Sequence, residues 1–212
     1  MNRATRALLI TTLFCAMLLL APGCARQRGP RQIVLDGVQP VSQRLSEARQ
    51  ISQRAQAAAE RGDLEQAELL YLEALAVYDE FAPAWNNLGL LYLEQERFMD
   101  AAGAFAEALT KAPMDPRPAY NLGLTWERAG YLSDAVRHYA SALERDPRFL
   151  PALRGAIRAD QLLGEMDEVT AERLRVALLI ERDPEWRSYF EEQKTRLERL
   201  AKEMIGIRSG DD

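Results

Sequence analysis

The sequence predicts an all-α chain: about four stacked helical hairpins closed by a C-terminal capping helix. The first observation is self-similarity at a step of 34 residues. It carries Leu88 onto Leu122, Gly89 onto Gly123, Tyr92 onto Trp126, Ala101 onto Ala135, Phe105 onto Tyr139, Ala108 onto Ala142 and Pro113 onto Pro147. The second is helical periodicity, because Trp85, Leu88, Tyr92 and Phe105 fall at the three- and four-residue steps that share a helix face. The third is alternation of bulk. Gly89, Ala101 and Ala108 are pits that let one helix receive the projections of another, which is ridge-into-groove packing. One hairpin cannot bury its apolar face alone, so such units stack.

Taken in order, residues 1–23 open with Arg3 and Arg6, continue with an uncharged apolar run from Ala7 to Ala21, and reach small residues before Cys24. That is the order of a secretory signal peptide. The run of 15 residues is short of the roughly 20 that cross a bilayer. Residues 24–41 hold Arg26, Arg28 and Arg31 with two Gly, two Pro and no helical period, so they read as a flexible tether. Its arginines either lie against anionic lipid or belong to a solvated spacer.

Residues 42–184 form the array. The first repeat, about 48–81, sets Ala67, Tyr71 and Ala74 under Ala101, Phe105 and Ala108, with Gly62 at the turn, and its leading helix is atypical in the manner of terminal repeats. The second and third span about 82–115 and 116–149. The fourth, 150–184, opens with an echo of Phe81-Ala82-Pro83-Ala84 in Phe149-Leu150-Pro151-Ala152, and Gly164 keeps register with Gly130. Glu144-Arg145-Asp146-Pro147 then recurs as Glu181-Arg182-Asp183-Pro184 at a step of 37, so three residues are inserted in this last hairpin.

A final helix, residues 185–206, follows an N-cap aspartate, Asp183, and a proline at the first helical position. Trp186, Phe190, Leu197, Leu200 and Met204 recur in alternating steps of four and three once Gln193 is counted. This face seals the last hairpin; the alternative is a homodimer seam through Trp186, Phe190 and Leu197. Residues 207–212 read as a disordered tail.

Composition narrows function. Removing Arg3 and Arg6 with the leader leaves 25 basic residues against 32 acidic ones, a net charge of -7, which disfavours nucleic acid. Beyond the leader there is one histidine, His138, no cysteine besides Cys24, and no phosphate-cradling glycine loop. No enzymatic activity, metal, cofactor or small-molecule substrate is therefore expected. The carboxylates are scattered among arginines along helix faces, the pattern of a solvated surface.

Trp85, Leu88, Gly89 and Tyr92 keep the spacing W-x2-L-G-x2-Y, and with Ala101, Phe105 and Pro113 they resemble the tetratricopeptide repeat. The resemblance implies a right-handed solenoid whose first helices line an inner groove that binds proteins or peptides. Carried onto this chain it selects Gln56, Asn86, Asn87, Leu90 and Leu93, then Tyr120, Asn121, Leu124 and Glu127, then Arg154 and Arg158. The last two stand four residues apart, on one helix face, and with Asn121 they resemble half of a clamp for a C-terminal carboxylate. The expectation is an acidic partner segment at that end and apolar side chains near Leu90, Leu93 and Tyr120. The alternative is solvated arginines paired with Glu127 or Asp160.

Leu20-Ala21-Pro22-Gly23-Cys24 is similar to the lipobox of bacterial lipoproteins. It implies lipidation at Cys24 and a periplasm-facing anchor, with the outer membrane favoured because Ala25 is not Asp. Without lipidation the chain is a soluble periplasmic protein. The reading that follows is a non-catalytic scaffold assisting an envelope machine such as a pilus, secretion or outer-membrane complex. Alternatives are an adaptor for cell-wall enzymes or a self-dimerising structural protein.

Overall fold

The computed structural model describes residues 39–208, with side chains to residue 203. The readings on the leader, on Cys24, on the tether before residue 39 and on the last four residues lie outside the described residues. Nine helices and no strands are found among those described: α1 (Val41–Glu60), α2 (Leu64–Val77), α3 (Ala82–Glu94), α4 (Phe98–Lys111), α5 (Pro116–Arg128), α6 (Leu132–Arg145), α7 (Leu150–Leu163), α8 (Glu168–Ile180) and α9 (Pro184–Arg208). The all-α hairpin array expected from the 34-residue period is what the chain forms.

The punctuation is local chemistry. Proline stands in the first turn of α3, α5 and α7, where its missing N–H has no helical partner to lose. Asp63, Asp115 and Asp167 cap α2, α5 and α8 through their side chains. Each hairpin turn needs one residue in the left-handed region. Gly62, Gly130 and Gly164 take it at φ 80°, 88° and 76°, while Glu96 occupies the same place in the second hairpin at φ 59°. A side chain there meets the following carbonyl, at a penalty of roughly 1–2 kcal/mol.

The core is large side chains set into small ones. Ala101, Ala108, Ala135 and Ala142 are fully buried, as are Phe105 and Tyr139, and Leu88 and Leu122 are nearly so. A Cβ on Gly89 would stand 2.6 Å from Phe105 Cε1, and one on Gly123 would stand 2.5 Å from Tyr139 Cδ1. These helices approach as closely as they do because both positions are glycine. Tyr92 is buried, whereas Trp85 and Trp126 are half-buried against the same core. The Trp85 indole N–H donates to the Asp79 carbonyl at 2.8 Å.

In the fourth hairpin the buried set Ala135, Tyr139 and Ala142 recurs as Thr170, Leu174 and Ala177, a step of 35. One of the three inserted residues therefore lies before Thr170. The other two follow Ala177 and lengthen the approach to α9. Phe190 is fully buried and packs with Leu153, Ile157 and Leu174. Trp186 and Phe190 thus face this chain's own α7 and α8, as expected of a helix that seals the last hairpin.

Helices α1, α3, α5 and α7 approach one another in succession more closely than the second helices do, so the stack bends with the first helices inside. Among the described residues no helix is long and apolar enough to cross a membrane.

Gly89→Ala should destabilise the fold by about 1–3 kcal/mol, the range for forcing an extra carbon into a packed core. Glu96→Gly should stabilise it by about 1 kcal/mol by relieving the left-handed strain. Urea unfolding of both variants checks the pair; a Gly89→Ala that stabilises or a Glu96→Gly that destabilises would refute the assignment of strain and fit.

Candidate functional site

The inner wall is where the sequence places a partner, and it divides in two. At its N-terminal end α1 and α3 enclose an open cleft of about 250 Å³, lined by Gln56, Ala59, Tyr71, Asn87, Leu90, Leu91 and Glu94. Gln56, Asn87 and Leu90 of the expected groove meet here. Leu90 is 41% exposed, unusual for a leucine flanked by buried Gly89 and Leu91. Burial pushes the Tyr71 hydroxyl above its ordinary pKa, Asn87 opposes this and nearby Glu60 adds to it. Gln56 donates to Glu60 at 2.9 Å.

Moving inward, Asn121 donates to Asn86 Oδ1 at 2.8 Å and is only 6% exposed. The pair ties α3 to α5. Leu93 is 3% exposed and belongs to the cluster that contains Leu122 of α5, so it is a core residue and not a groove residue, because the neighbouring hairpin covers that side of α3. Leu124 also packs against this core, half-buried. Tyr120 is half-buried, with ring centroids 5.8 Å from Tyr139 and 5.7 Å from Phe149.

The C-terminal end is occupied by the chain itself. Arg158 grips Glu127 with two hydrogen bonds of 2.8 and 2.9 Å, and Arg154 grips Glu181 with two of 2.8 Å. The Glu181 side chain is 1% exposed, and its carboxyl is held below the ordinary range first by Arg154 and then by the Asp183 and Arg182 N–H groups. Glu127 also accepts from the Tyr139 hydroxyl, which burial and that carboxylate push up. Trp186 lies over both guanidiniums, 4.8 Å from Arg154 and 6.0 Å from Arg158. The forked grip expected for a partner's carboxylate is thus made, but on Glu127 and Glu181. Of the two internal partners weighed, Glu127 is used, whereas Asp160 is taken by Arg173 and Thr170.

Sequence spacing missed Glu181, Trp186 and Tyr71 as parts of this wall. The signal for the first two was present: the 37-residue step moves Glu181 and Trp186 away from the positions that Glu144 and Phe149 hold one hairpin earlier. His138 is half-buried, and burial holds its pKa below the usual value. Among the described residues no group of histidine, cysteine and acidic side chains could hold a metal.

A family model for the tetratricopeptide repeat matches residues 52–116 and 86–148. The mouse (Mus musculus) tetratricopeptide repeat protein 28 is 30% identical over 138 residues, 61% of this chain but 6% of its own length. The crystal structure of MamA aligns with TM-score 0.55 at 17% identity, covering 70% of this chain and 81% of that one. The first such domain of Spaghetti (RPAP3), bound to the HSP90 peptide SRMEEVD, aligns with TM-score 0.53 at 16% identity, covering 56% and 94%. At these identities the structural likeness shows the repeat fold.

Arg154→Met should destabilise the protein by about 3 kcal/mol at neutral pH, the low end for stripping the partner from a buried charge. A carboxyl with a depressed folded pKa contributes stability above its unfolded value, about 4.3 for glutamate, and loses it as pH falls through the folded one. The gap between wild type and variant should therefore narrow progressively as the pH falls below about 4.3. Urea titrations at pH 7 and 3.5 check this; a gap independent of pH would contradict the pairing.

Proposed function

We propose, on the premise that residues 52–148 are tetratricopeptide repeats, that this chain is a non-catalytic scaffold whose inner wall holds another polypeptide. The observation that carries the reading is the cleft between α1 and α3, where an aliphatic side chain, Leu90, stands open beside the carboxamides of Gln56 and Asn87. That combination suits an extended segment, since the amides can pair with its backbone while the leucine receives a side chain. The Spaghetti (RPAP3) domain, whose structure holds a peptide, supports the choice of ligand class.

The finer reading is that the scaffold works at a bacterial envelope membrane. Its support is the order of charge, apolar run, small residues and Cys24 at the start of the sequence. Lipidation of Cys24 with more than one acyl chain would give stable anchoring, at about 0.8 kcal/mol for each buried CH2. The scaffold then serves the assembly of a pilus, secretion or outer-membrane complex, facing the periplasm.

Two outcomes follow. A photocrosslinking residue at position 90 should trap another polypeptide in cells, while one at exposed position 99 on α4 should not; adducts from 99 alone would reject the inner wall. Palmitate labelling should be lost in Cys24→Ser, with the chain moving from the membrane to the soluble fraction. Labelling or membrane retention unchanged by that substitution would reject the anchor.

A further inference from the structure

We infer that the open half of the groove selects a partner segment carrying an aliphatic residue next to lysine or arginine, and discriminates against an acidic one. The inference rests on the reading of the inner wall as a partner site and specifies its chemistry.

Three observations support it. The first is that the wall's two expected cation sites have their charge taken up inside the chain. Arg154 and Arg158 each direct two N–H groups at a carboxylate that is mostly or fully buried, and Trp186 covers their faces. An incoming carboxylate would have to displace one that is already ideally forked and needs no ordering on arrival.

The second is the cleft's own polarity. Its floor is Leu90, Leu91 and Ala59, and the Gln56 and Asn87 amides stand beside it. Glu94 lines one side, exposed to solvent, and Glu60 stands one turn beyond Gln56 on α1, near Tyr71 and held by the neutral Gln56 amide. Among the described residues neither carboxylate takes part in an ion pair. Arg49 is on the same face of α1 as Gln56 but two turns earlier, roughly 10 Å along the axis. That is beyond a Debye length of about 8 Å in physiological salt.

The third is the distribution of charge along the array. From Val41 to Glu94 there are four arginines, no lysine and nine carboxylates. From Pro116 to Ile180 nine arginines face nine carboxylates. Of the nine carboxylates between Val41 and Glu94, Glu68 is paired with Arg97, and Asp79 and Glu80 with Lys111. The unpaired acidic charge at the cleft is therefore that of Glu94 and nearby Glu60, which favours approach of a positively charged segment and opposes an acidic one.

Fluorescence anisotropy of the full chain with three peptide sets tests this. All share the same aliphatic residues in extended sequences, with flanks of Lys/Arg, Gln or Glu. The basic set should bind about tenfold more tightly than the acidic set, equivalent to 1.4 kcal/mol, and the difference should shrink as salt rises. Glu60→Gln/Glu94→Gln should erase most of the preference, and Leu90→Ser should weaken all three sets alike. Equal binding of the sets, or preference for acid, overturns the inference and leaves the groove standing. Binding that Leu90→Ser leaves unchanged, or no binding by any set, removes the groove itself.

Discussion

The rings of Phe105 and Tyr139 occupy space that a single added carbon on the facing helix would fill, and the rest of the structure depends on that fit. Gly89 faces the first ring and Gly123 the second. Tyr139 is pinned on its other side as well, since a Cβ on Gly155 of α7 would stand 2.5 Å from its Cζ. The ring thus sets both the spacing within the third hairpin and the seat of the fourth upon it. Interiors are packed at crystal-like density, so such a ring has little room to move.

From that seat the packing reaches the inner wall. The Tyr139 hydroxyl meets Glu127, Glu127 holds Arg158, and Trp186 of α9 rests over Arg158 and Arg154. A core contact thereby orients groove side chains and ties the last helix down. Glu181 extends the chain of contacts by accepting from Arg154 and from the Arg182 and Asp183 N–H groups just before α9. The wall that results is closed and internally neutral at one end, open and acidic at the other.

Much of this was legible in the sequence because the repeat is a packing code. The 34-residue step, the small residues opposite large ones and the turn glycines are local requirements, and each found its place. Glu96 at the position of Gly62 and Gly130 was visible in the same way. The groove was read less well, because exposure depends on what the next hairpin covers. Leu93 lies within a turn of exposed Leu90 yet is buried in the core shared with α5. Arg154 and Arg158 have the right spacing for a forked grip, but spacing does not say whose carboxylate is gripped; that is settled by Glu127, 31 residues before Arg158, and Glu181, 27 residues after Arg154. Gly155 stands outside the glycine register of the repeat, and only the ring of Tyr139 reveals its purpose.

A double-mutant cycle between Gly155→Ala and Tyr139→Leu tests the packing claim most directly, with stability read from urea unfolding. If the ring and the bare backbone are fitted to one another, the loss caused by Gly155→Ala should largely vanish once the ring is gone. The coupling should then exceed about 1 kcal/mol, within the range for residues in contact. Additive losses would mean that the glycine and the tyrosine act independently, and the account of how these hairpins seat one another would be contradicted.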